Sequence, residues 1–170
     1  RSVFVNAVLS GSVGNDLSIA NNNGTVRLLA ANTFSGNLFH SGGTLFLDNN
    51  SSLGNCPSLV VNSTYNSGGG FNAGTLVSLN GVSIPNTVSL SLTGSVTGPI
   101  SSTLNCASGS NAWSGPVTIN GDGNVVINNA GFTLNIPGNI TGNGFTGSLH
   151  VRGAGSTTLG GTINLGSAEL

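Results

Sequence analysis

Residues 111–127 read NAWSGPVTINGDGNVVI, and residues 31–47 read ANTFSGNLFHSGGTLFL. Each stretch contains an aromatic residue followed by Ser-Gly, then a short alternating segment, a turn that contains glycine and a second apolar segment. Looser copies of the same frame occupy residues 63–77 and 155–165. Self-similarity on this scale is typical of solenoid proteins, in which each repeat stacks on the next. The recurring frame therefore predicts the architecture more firmly than any single segment does.

Six residues mark the frame and are predicted to be its structural anchors: Phe34, Gly36, Tyr65, Trp113, Gly115 and Leu159. The non-glycine anchors are separated by 31, 48 and 46 residues. These separations correspond to one or two coils of roughly 20–30 residues, a coil being one full turn of the solenoid. Apolar and polar residues alternate, as in residues 133–136, and no window keeps helical spacing. We therefore predict an all-β fold, a right-handed parallel β-helix (β-solenoid), whose strands pair in register from coil to coil.

The composition fits such a stack. Charged residues make up only 4% of the 170 residues, against about 25% in an ordinary soluble domain. Stacking places like residues on like, so that charged columns would repel one another, and Asn, Ser, Thr and Gly supply a neutral surface instead. Asparagine and glycine at the corners tolerate positive φ, and stacked asparagine amides can bond along the axis. Recurrent aliphatic runs, such as residues 44–47, exclude a disordered chain.

The charge pattern excludes two classes of partner. The net charge is −1, lysine is absent, and the arginines are dispersed at Arg1, Arg27 and Arg152. Binding to nucleic acid requires clustered cations, and a membrane span requires roughly 20 apolar residues in a row. We therefore predict no nucleic-acid partner and no membrane insertion by this segment. Residues 1–170 are predicted to be a single β-solenoid segment of a longer repeat array, with targeting and anchoring parts elsewhere.

Three stretches carry a resemblance to a known family. Residues 30–55 (AANTFSGNLFHSGGTLFLDNNSSLGN), 64–79 (TYNSGGGFNAGTLVSL) and 111–127 closely resemble the autotransporter-associated β-strand repeat. The units of that repeat read roughly as aromatic-Ser-Gly, a short strand and Asn-Ala-Gly-Thr-Leu. This chain departs from the pattern at Gly121–Asn124 and between Ser83 and Asn111. The resemblance implies a parallel β-helix in the passenger region of a bacterial surface protein, with an extracellular or cell-surface location and no catalytic residues.

The acidic residues are too scattered to suggest polysaccharide cleavage. They are Asp16, Asp48, Asp122 and Glu169. Lyases and hydrolases group their carboxylates, either to bind Ca²⁺ or to form an acid–base pair. Asp48 and Asp122 lie in sequences typical of turns, where aspartate is common. Gly121–Asn124 faintly resembles a glycine-aspartate Ca²⁺ loop, but it occurs once, without the second copy that would complete a site.

The histidines offer no ligand set either. His40 and His150 could act as bases or metal ligands, but neither has a partner at ligand spacing. Aligning the copies places His40 in the position of Asn72 and Asn120, which predicts an outward corner residue. We therefore predict no catalytic, metal-binding or cofactor-binding residue, and no cofactor.

The two cysteines leave two alternatives, a disulfide between them or two separate thiols. Cys56 and Cys106 lie 50 residues apart in the similar contexts Asn-Cys-Pro and Asn-Cys-Ala. If this separation is two coils, the Cα atoms lie about 9 to 10 Å apart and no disulfide fits. If an insertion makes it one long coil, stacking brings the two within bonding distance. Export would permit oxidation, so the alternatives are a Cys56–Cys106 disulfide and two separate buried thiols.

The remaining motifs have structural explanations. The aromatic residues Phe34, Phe39, Tyr65 and Trp113 could stack on sugars, but their matched places in the frame favour core or corner packing. Five sites fit the glycosylation pattern, about as many as chance provides in so Asn-rich a chain: Asn23, Asn49, Asn50, Asn62 and Asn139.

The sequence therefore favours a structural, non-enzymatic β-solenoid of the cell surface or extracellular space: an autotransporter-like passenger, stalk, adhesin or filament subunit. A polysaccharide-binding or polysaccharide-cleaving β-helix of the pectate-lyase type is one alternative, and an ice-binding surface is another. Because an open solenoid exposes a strand row at each end, the expected partners are neighbouring repeats of the same chain or other copies stacked end to end. Cell-surface glycans are a further expected partner.

Overall fold

In the computed structural model of the chain, the segments in which apolar and polar residues alternate form short strands. The structure describes residues 1–21, 23–62, 75–95 and 102–167, and within these ranges it contains strands and no helix. In chain order the strands are β1 (Ser2–Val5), β2 (Leu17–Ala20), β3 (Thr25–Leu28), β4 (Leu38–Ser41), β5 (Thr44–Leu47), β6 (Ser58–Asn62), β7 (Leu76–Asn80), β8 (Ser83–Ile84), β9 (Ser89–Gly94), β10 (Ser102–Ser108), β11 (Ser110–Trp113), β12 (Val117–Gly121), β13 (Val125–Asn129), β14 (Thr133–Ile136), β15 (Ile140–Asn143), β16 (Leu149–Gly153), β17 (Ser156–Leu159) and β18 (Ile163–Asn164).

These strands form three parallel sheets wound into a β-solenoid of about six coils. Sheet A has the strand order β1-β3-β5-β7-β10-β13-β16, and sheet B has the order β2-β4-β6-β9-β12-β15-β18. Sheet C contains β8-β11-β14-β17. The chain visits sheets A and B once per coil, so that each strand pairs with its counterpart in the next coil. The predicted all-β parallel solenoid is confirmed.

The strand register gives the length of each coil. Paired residues in sheet B lie 21 residues apart in the first coils, as for Ile19 and His40, and 23 apart in later coils, as for Asn120 and Asn143. Both values match the predicted coil of roughly 20–30 residues. The longest step in sheet B joins Leu59 to Leu90. The coil that makes this step contains residues 63–74, which lie outside the described part of the chain.

Apolar side chains stack into inward columns along the axis. One column in sheet B consists of Leu17, Leu38, Leu59, Leu90, Val117, Ile140 and Ile163. One column in sheet A consists of Val3, Val26, Leu45, Val77, Leu104, Ile127 and Val151. The members in the middle coils are completely buried. Since a strand alternates its side chains, burying every second residue leaves the others to form the surface.

Three inward asparagines link successive coils through their side-chain amides. Asn32 Oδ1 accepts the amide of Leu9 at 2.8 Å, and its Nδ2 donates to the carbonyl of Ser52 at 2.6 Å. Asn111 and Asn129 make comparable bonds and are also buried. Such fully bonded buried amides stabilise a stack because their partners lie in the chain segments on either side. Positive φ angles occur only at glycines in the described residues, so asparagine contributes through its amide and not through a left-handed corner.

Candidate functional site

The outward face of sheet A carries a continuous hydrogen-bonded network. The guanidinium of Arg27 forms an ion pair with Asp48, to which Nε donates at 3.0 Å, and it lies over the ring of Phe46, 4.4 Å from the ring centre. Asn80 donates its amide to the same carboxylate and accepts the hydroxyl of Ser108. The network thus runs along the axis from coil to coil. It neutralises the charges that it contains and leaves Asp48 almost completely covered.

A second row of hydrogen-bonded polar side chains, a ladder, lies on the same outward face of sheet A. Asn128 donates from Nδ2 to Oδ1 of Asn105 at 2.6 Å, and Asn105 donates to Oγ of Ser78 at 3.0 Å. Sheet B has a matching ladder, in which Asn143 donates to Asn120 at 3.0 Å. These ladders are the axial amide bonds that the neutral composition predicts, and they reinforce the backbone pairing between coils.

The Arg27–Asp48 pair and the buried asparagines were missed in the sequence. The separation of the pair gave no signal, because the register partner of Arg27 in sheet A is Phe46, and Asp48 lies two residues beyond it. The asparagines gave no signal either. Asparagine is frequent throughout the chain, and only the strand register shows which of its copies point inward.

His40 is an inward core residue, and its predicted place at an outward corner is wrong. It lies in β4, and its register partners are Ile19 and Val61. The side chain is completely buried, Nδ1 lies 3.4 Å from the carbonyl oxygen of Ile19, and Nε2 is buried without a hydrogen-bond partner. The alignment with Asn120 was shifted by one residue, which in a strand exchanges the two faces.

Acid is expected to weaken the fold through His40. Burial lowers the pKa of His40 below its ordinary value of 6.5, an effect that a backbone hydrogen bond with Ile19 partly offsets. The adjacent strands β2, β6 and β7 contain no titratable residue that could compensate an imidazolium. The unfolded chain therefore binds more protons than the folded one below pH 6.5, and the free energy of unfolding falls as the pH falls through that value.

Denaturant unfolding between pH 7.5 and pH 5 measures this effect. In His40→Leu the apolar column from Ile19 to Val61 becomes continuous, and we expect its stability to lose most of the pH dependence of the wild type. His150→Leu is the matched control, since His150 is exposed and should leave that dependence in place. Equal slopes in the wild type and in His40→Leu would contradict this account.

Two of the carboxylates, Asp16 and Asp48, lie in different parts of the coil and hold neighbouring segments together. Oδ1 of Asp16 accepts the amide of Asn37 at 2.8 Å at the entry to sheet B. Asp48 belongs to the network on sheet A, and so does more than form a turn. Asp122 lies between β12 and β13, and Glu169 lies outside the described residues. Within the described ranges, no three His, Cys, Asp or Glu side chains are placed to share a metal ion.

The two cysteines are separate buried thiols, the second of the two alternatives that the sequence leaves open. Cys106 lies in β10, in the inward column between Leu79 and Asn129 of sheet A. Cys56 precedes β6 of sheet B, and its Sγ lies 3.0 Å from the carbonyl oxygen of Ser58. The chain passes through β7 between them, so the two thiols are neither on one face nor in adjacent coils. Burial raises the pKa of Cys56 and raises the pKa of Cys106 to about 11, which keeps both protonated at neutral pH.

The anchors Phe34, Trp113 and Leu159 occupy one position in the coil. Each lies four residues before a member of the inward column of sheet B, namely Leu38, Val117 and Ile163. Phe34 and Trp113 are buried, and Leu159 is half-buried against the same core. Tyr65 lies outside the described residues. Phe39 points outward and is 36% exposed, so it does not form a platform with the buried Phe34 and Trp113.

The glycine anchors Gly36 and Gly115 also share a position, two residues before the same column. At each of them a Cβ atom would overlap the backbone of the previous coil, at Asn15 and Val88 respectively. Gly138 and Gly161 continue this row, and each would meet the carbonyl of the glycine one coil earlier. Glycine is therefore required here by the close approach of consecutive coils.

The first and last coils expose the edges of the sheets. In the inward column of sheet A, the interior members Leu45 and Ile127 are completely buried, whereas Val3 is 55% exposed and Val151 is 41% exposed. On the outward face of β1, Phe4 is 61% exposed. Within the described residues, both terminal coils therefore present apolar side chains beside strand backbone that pairs on one side only.

Comparisons with known proteins return no relative. No family model, no curated protein and no solved structure matches the chain. No helix in the described ranges is long and apolar enough to cross a membrane. The function therefore has to be inferred from the geometry and from the repeat pattern of the sequence.

Proposed function

We propose that this chain is a structural, non-enzymatic β-solenoid segment of a surface or extracellular protein. One observation carries the proposal: the carboxylate of Asp48, the imidazole of His40 and the two thiols are each enclosed in the stack at separate places. Asp48 is bonded to Arg27 and Asn80, His40 is enclosed in an apolar column, and Cys56 and Cys106 are buried thiols with raised pKa values.

The geometry suits a spacer that extends along one axis. Backbone pairing in sheets A and B runs through every coil. The side-chain ladders add hydrogen bonds along the axis on the outward face of each of these two sheets. The outward positions are mostly neutral, so coils can be added without accumulating charge. Resemblance to the autotransporter-associated repeat supports a passenger or stalk of the cell surface, whose partners are neighbouring coils, further copies and surface glycans.

Incubation with polysaccharides tests the non-enzymatic part of the proposal. The purified chain is expected to release no unsaturated products and no new reducing ends from pectin, alginate or neutral glycans, beyond the level seen with a heat-unfolded sample. Product formation by the folded chain alone would overturn the proposal in favour of a lyase or hydrolase.

Labelling of intact cells tests the location. Antibodies against the folded segment are expected to label unpermeabilised cells of the organism that produces it, with a cytoplasmic protein as the negative control. Labelling that appears only after permeabilisation would contradict a surface role.

A further inference from the structure

We infer that Asn143 is a site of spontaneous modification, where the peptide nitrogen of Gly144 attacks the asparagine side chain and converts it into aspartate and isoaspartate. The two reacting groups belong to the same chain, and water is the only other reactant. The site is independent of the proposed structural function. It is one of four identical dipeptides that the fold holds in different ways, and only there are both reacting groups accessible.

Asparagine followed by glycine occurs four times in the chain, at Asn23, Asn80, Asn120 and Asn143. Glycine lacks the Cβ atom that would hinder the approach of its nitrogen to the preceding side chain, so this dipeptide cyclises readily. The glycine N–H must be free of hydrogen bonds, and the asparagine amide carbon must be able to rotate towards it. Since the glycine is common to all four sites, their rates in the folded chain are set by the structure around them.

At Asn80 both reacting groups are held. The N–H of Gly81 donates to the carbonyl of Ser108 at 3.1 Å and to Oδ1 of Asn111 at 2.8 Å. The side-chain amide of Asn80 donates to the carboxylate of Asp48 and accepts the hydroxyl of Ser108. The nitrogen and the amide carbon cannot approach one another unless these bonds break.

The side chain of Asn120 is held at both ends. Its Nδ2 donates to Oγ of Ser91 at 2.9 Å, and its Oδ1 accepts the amide of Asn143 at 3.0 Å. Gly121 is the last residue of β12 and pairs in register with Gly94 of the previous coil. Cyclisation at Asn120 therefore requires the ladder and the end of the strand to open together.

Asn23 is exposed, but the nitrogen that follows it is engaged. The N–H of Gly24 donates to the carbonyl of Asn21 at 3.0 Å. The neighbourhood of Gly24 is also crowded, since a Cβ atom there would lie 3.0 Å from the carbonyl oxygen of Arg1. The peptide group of this dipeptide has neither a free N–H nor much room to rotate.

Asn143 meets both conditions. Asn143 and Gly144 are exposed, and among the described residues the N–H of Gly144 donates no hydrogen bond. Gly144 has a φ of +62°, and a Cβ atom built on it would meet nothing within 4 Å in the described structure. The side chain of Asn143 is held through Nδ2, the atom that leaves in the reaction, by its single bond to Asn120. This bond lies on the exposed face of the sheet, where water can replace it.

The reaction balances in two steps. The nitrogen of Gly144 forms a bond to Cγ of Asn143, and Nδ2 leaves as ammonia, taking the proton that the glycine nitrogen gives up. The product is a cyclic imide. Water then opens the ring: cleavage between the nitrogen and Cγ gives aspartate, and cleavage between the nitrogen and the main-chain carbonyl carbon gives isoaspartate. No electron is gained or lost.

Either product removes a donor from the sheet B ladder. The amide of Asn143 donates to Oδ1 of Asn120, whereas an ionised carboxylate faces that atom with acceptors only. Isoaspartate also adds one carbon to the main chain directly after β15. The next bond to the previous coil, from the N–H of Thr146 to the carbonyl of Gly121 at 3.1 Å, follows within three residues. Modification is therefore expected to loosen this edge of the sheet.

Peptide mapping by mass spectrometry measures the rate at each site while the folded 170-residue chain ages in mildly alkaline buffer. Conversion at Asn143 is expected to be at least about fivefold faster than at Asn23, Asn80 or Asn120. In concentrated denaturant the four rates should agree within about twofold, because the restraints are gone. A folded chain in which any of the other three reacts as fast as Asn143 would overturn the proposal, as would the same ranking in denaturant.

Two variants assign the product to this site. Each event replaces a neutral amide with a carboxylate in a chain of net charge −1, so the modified chain separates on an anion exchanger. Asn143→Gln keeps the amide but must close a larger, less favourable ring. It is expected to lose the acidic species and the labelling by an isoaspartate methyltransferase that the aged wild type shows. Asn23→Gln, also at an exposed position, is the matched control and should retain both. Equal accumulation in Asn143→Gln and the wild type would contradict the assignment.

Discussion

Replacing Asn111 with leucine is expected to lower the free energy of unfolding by about 4 kcal/mol. Oδ1 of Asn111 accepts the amides of Gly81 at 2.8 Å and Val82 at 3.2 Å in the previous coil. Its Nδ2 donates to the carbonyl of Ser108 at 2.7 Å and to that of Thr133, in the next coil, at 3.3 Å. Leucine fits the apolar column in size but bonds none of these groups. The amide of Gly81 and the carbonyl of Ser108 also bond to each other at 3.1 Å, so the loss falls mainly on the amide of Val82 and the carbonyl of Thr133. Each buried group left unbonded costs about 1–3 kcal/mol.

Chemical denaturation measures this difference, and Asn143→Leu is the matched control. Asn143 is exposed, and its side chain donates to Oδ1 of Asn120 at 3.0 Å. The control should therefore lose less than about 1 kcal/mol. Similar losses in the two variants would mean that the buried amide does not link the coils, and that its bonds are replaced by water or by backbone.

The fold could be predicted from the sequence because two periods are visible in it. Alternation within segments such as residues 133–136 gives the strand, and the recurrence of the frame at residues 31–47 and 111–127 gives the coil. Both periods reflect burial. Residues that face the core must be apolar in every coil, so the columns through Leu38 and Leu45 appear as repeated letters. The surface needs only to be neutral and polar, and this shows in the composition.

The individual environments were harder to predict because they depend on register to a single residue. His40 was aligned with Asn120 and assigned to the surface, whereas the strand pairs it with Ile19 and Val61 in the core. The cysteines likewise share a local context, yet Cys106 lies within β10 of sheet A, whereas Cys56 lies in the segment before β6 of sheet B. Similarity between repeats shows roughly where in a coil a residue lies. Whether its side chain points inward or outward depends on the exact strand register, and a motif determines that register only to within one or two residues.

Replacing Gly115 with alanine is expected to cost about 3 kcal/mol of stability, at the upper end of the usual penalty for overpacking. The added methyl group would overlap the carbonyl oxygen of Val88 in the previous coil. A flexible side chain could rotate away from such a contact, but a backbone carbonyl held in the stack cannot. Relief requires the two coils to separate, which would also stretch the pairing of β9 with β12 immediately beyond Val88 and Gly115.

Gly11→Ala isolates the steric part of this effect. Gly11 has no positive φ, and a Cβ there would lie 3.8 Å from that of Phe34, an ordinary van der Waals contact. The same substitution should therefore change stability at Gly11 by less than about 1 kcal/mol, and it can even stabilise by restricting the unfolded chain. Thermal and chemical unfolding of the two variants make the comparison. If Gly115→Ala proves as stable as Gly11→Ala, the coils are not in the close contact that would make glycine necessary at Gly36, Gly138 and Gly161 as well.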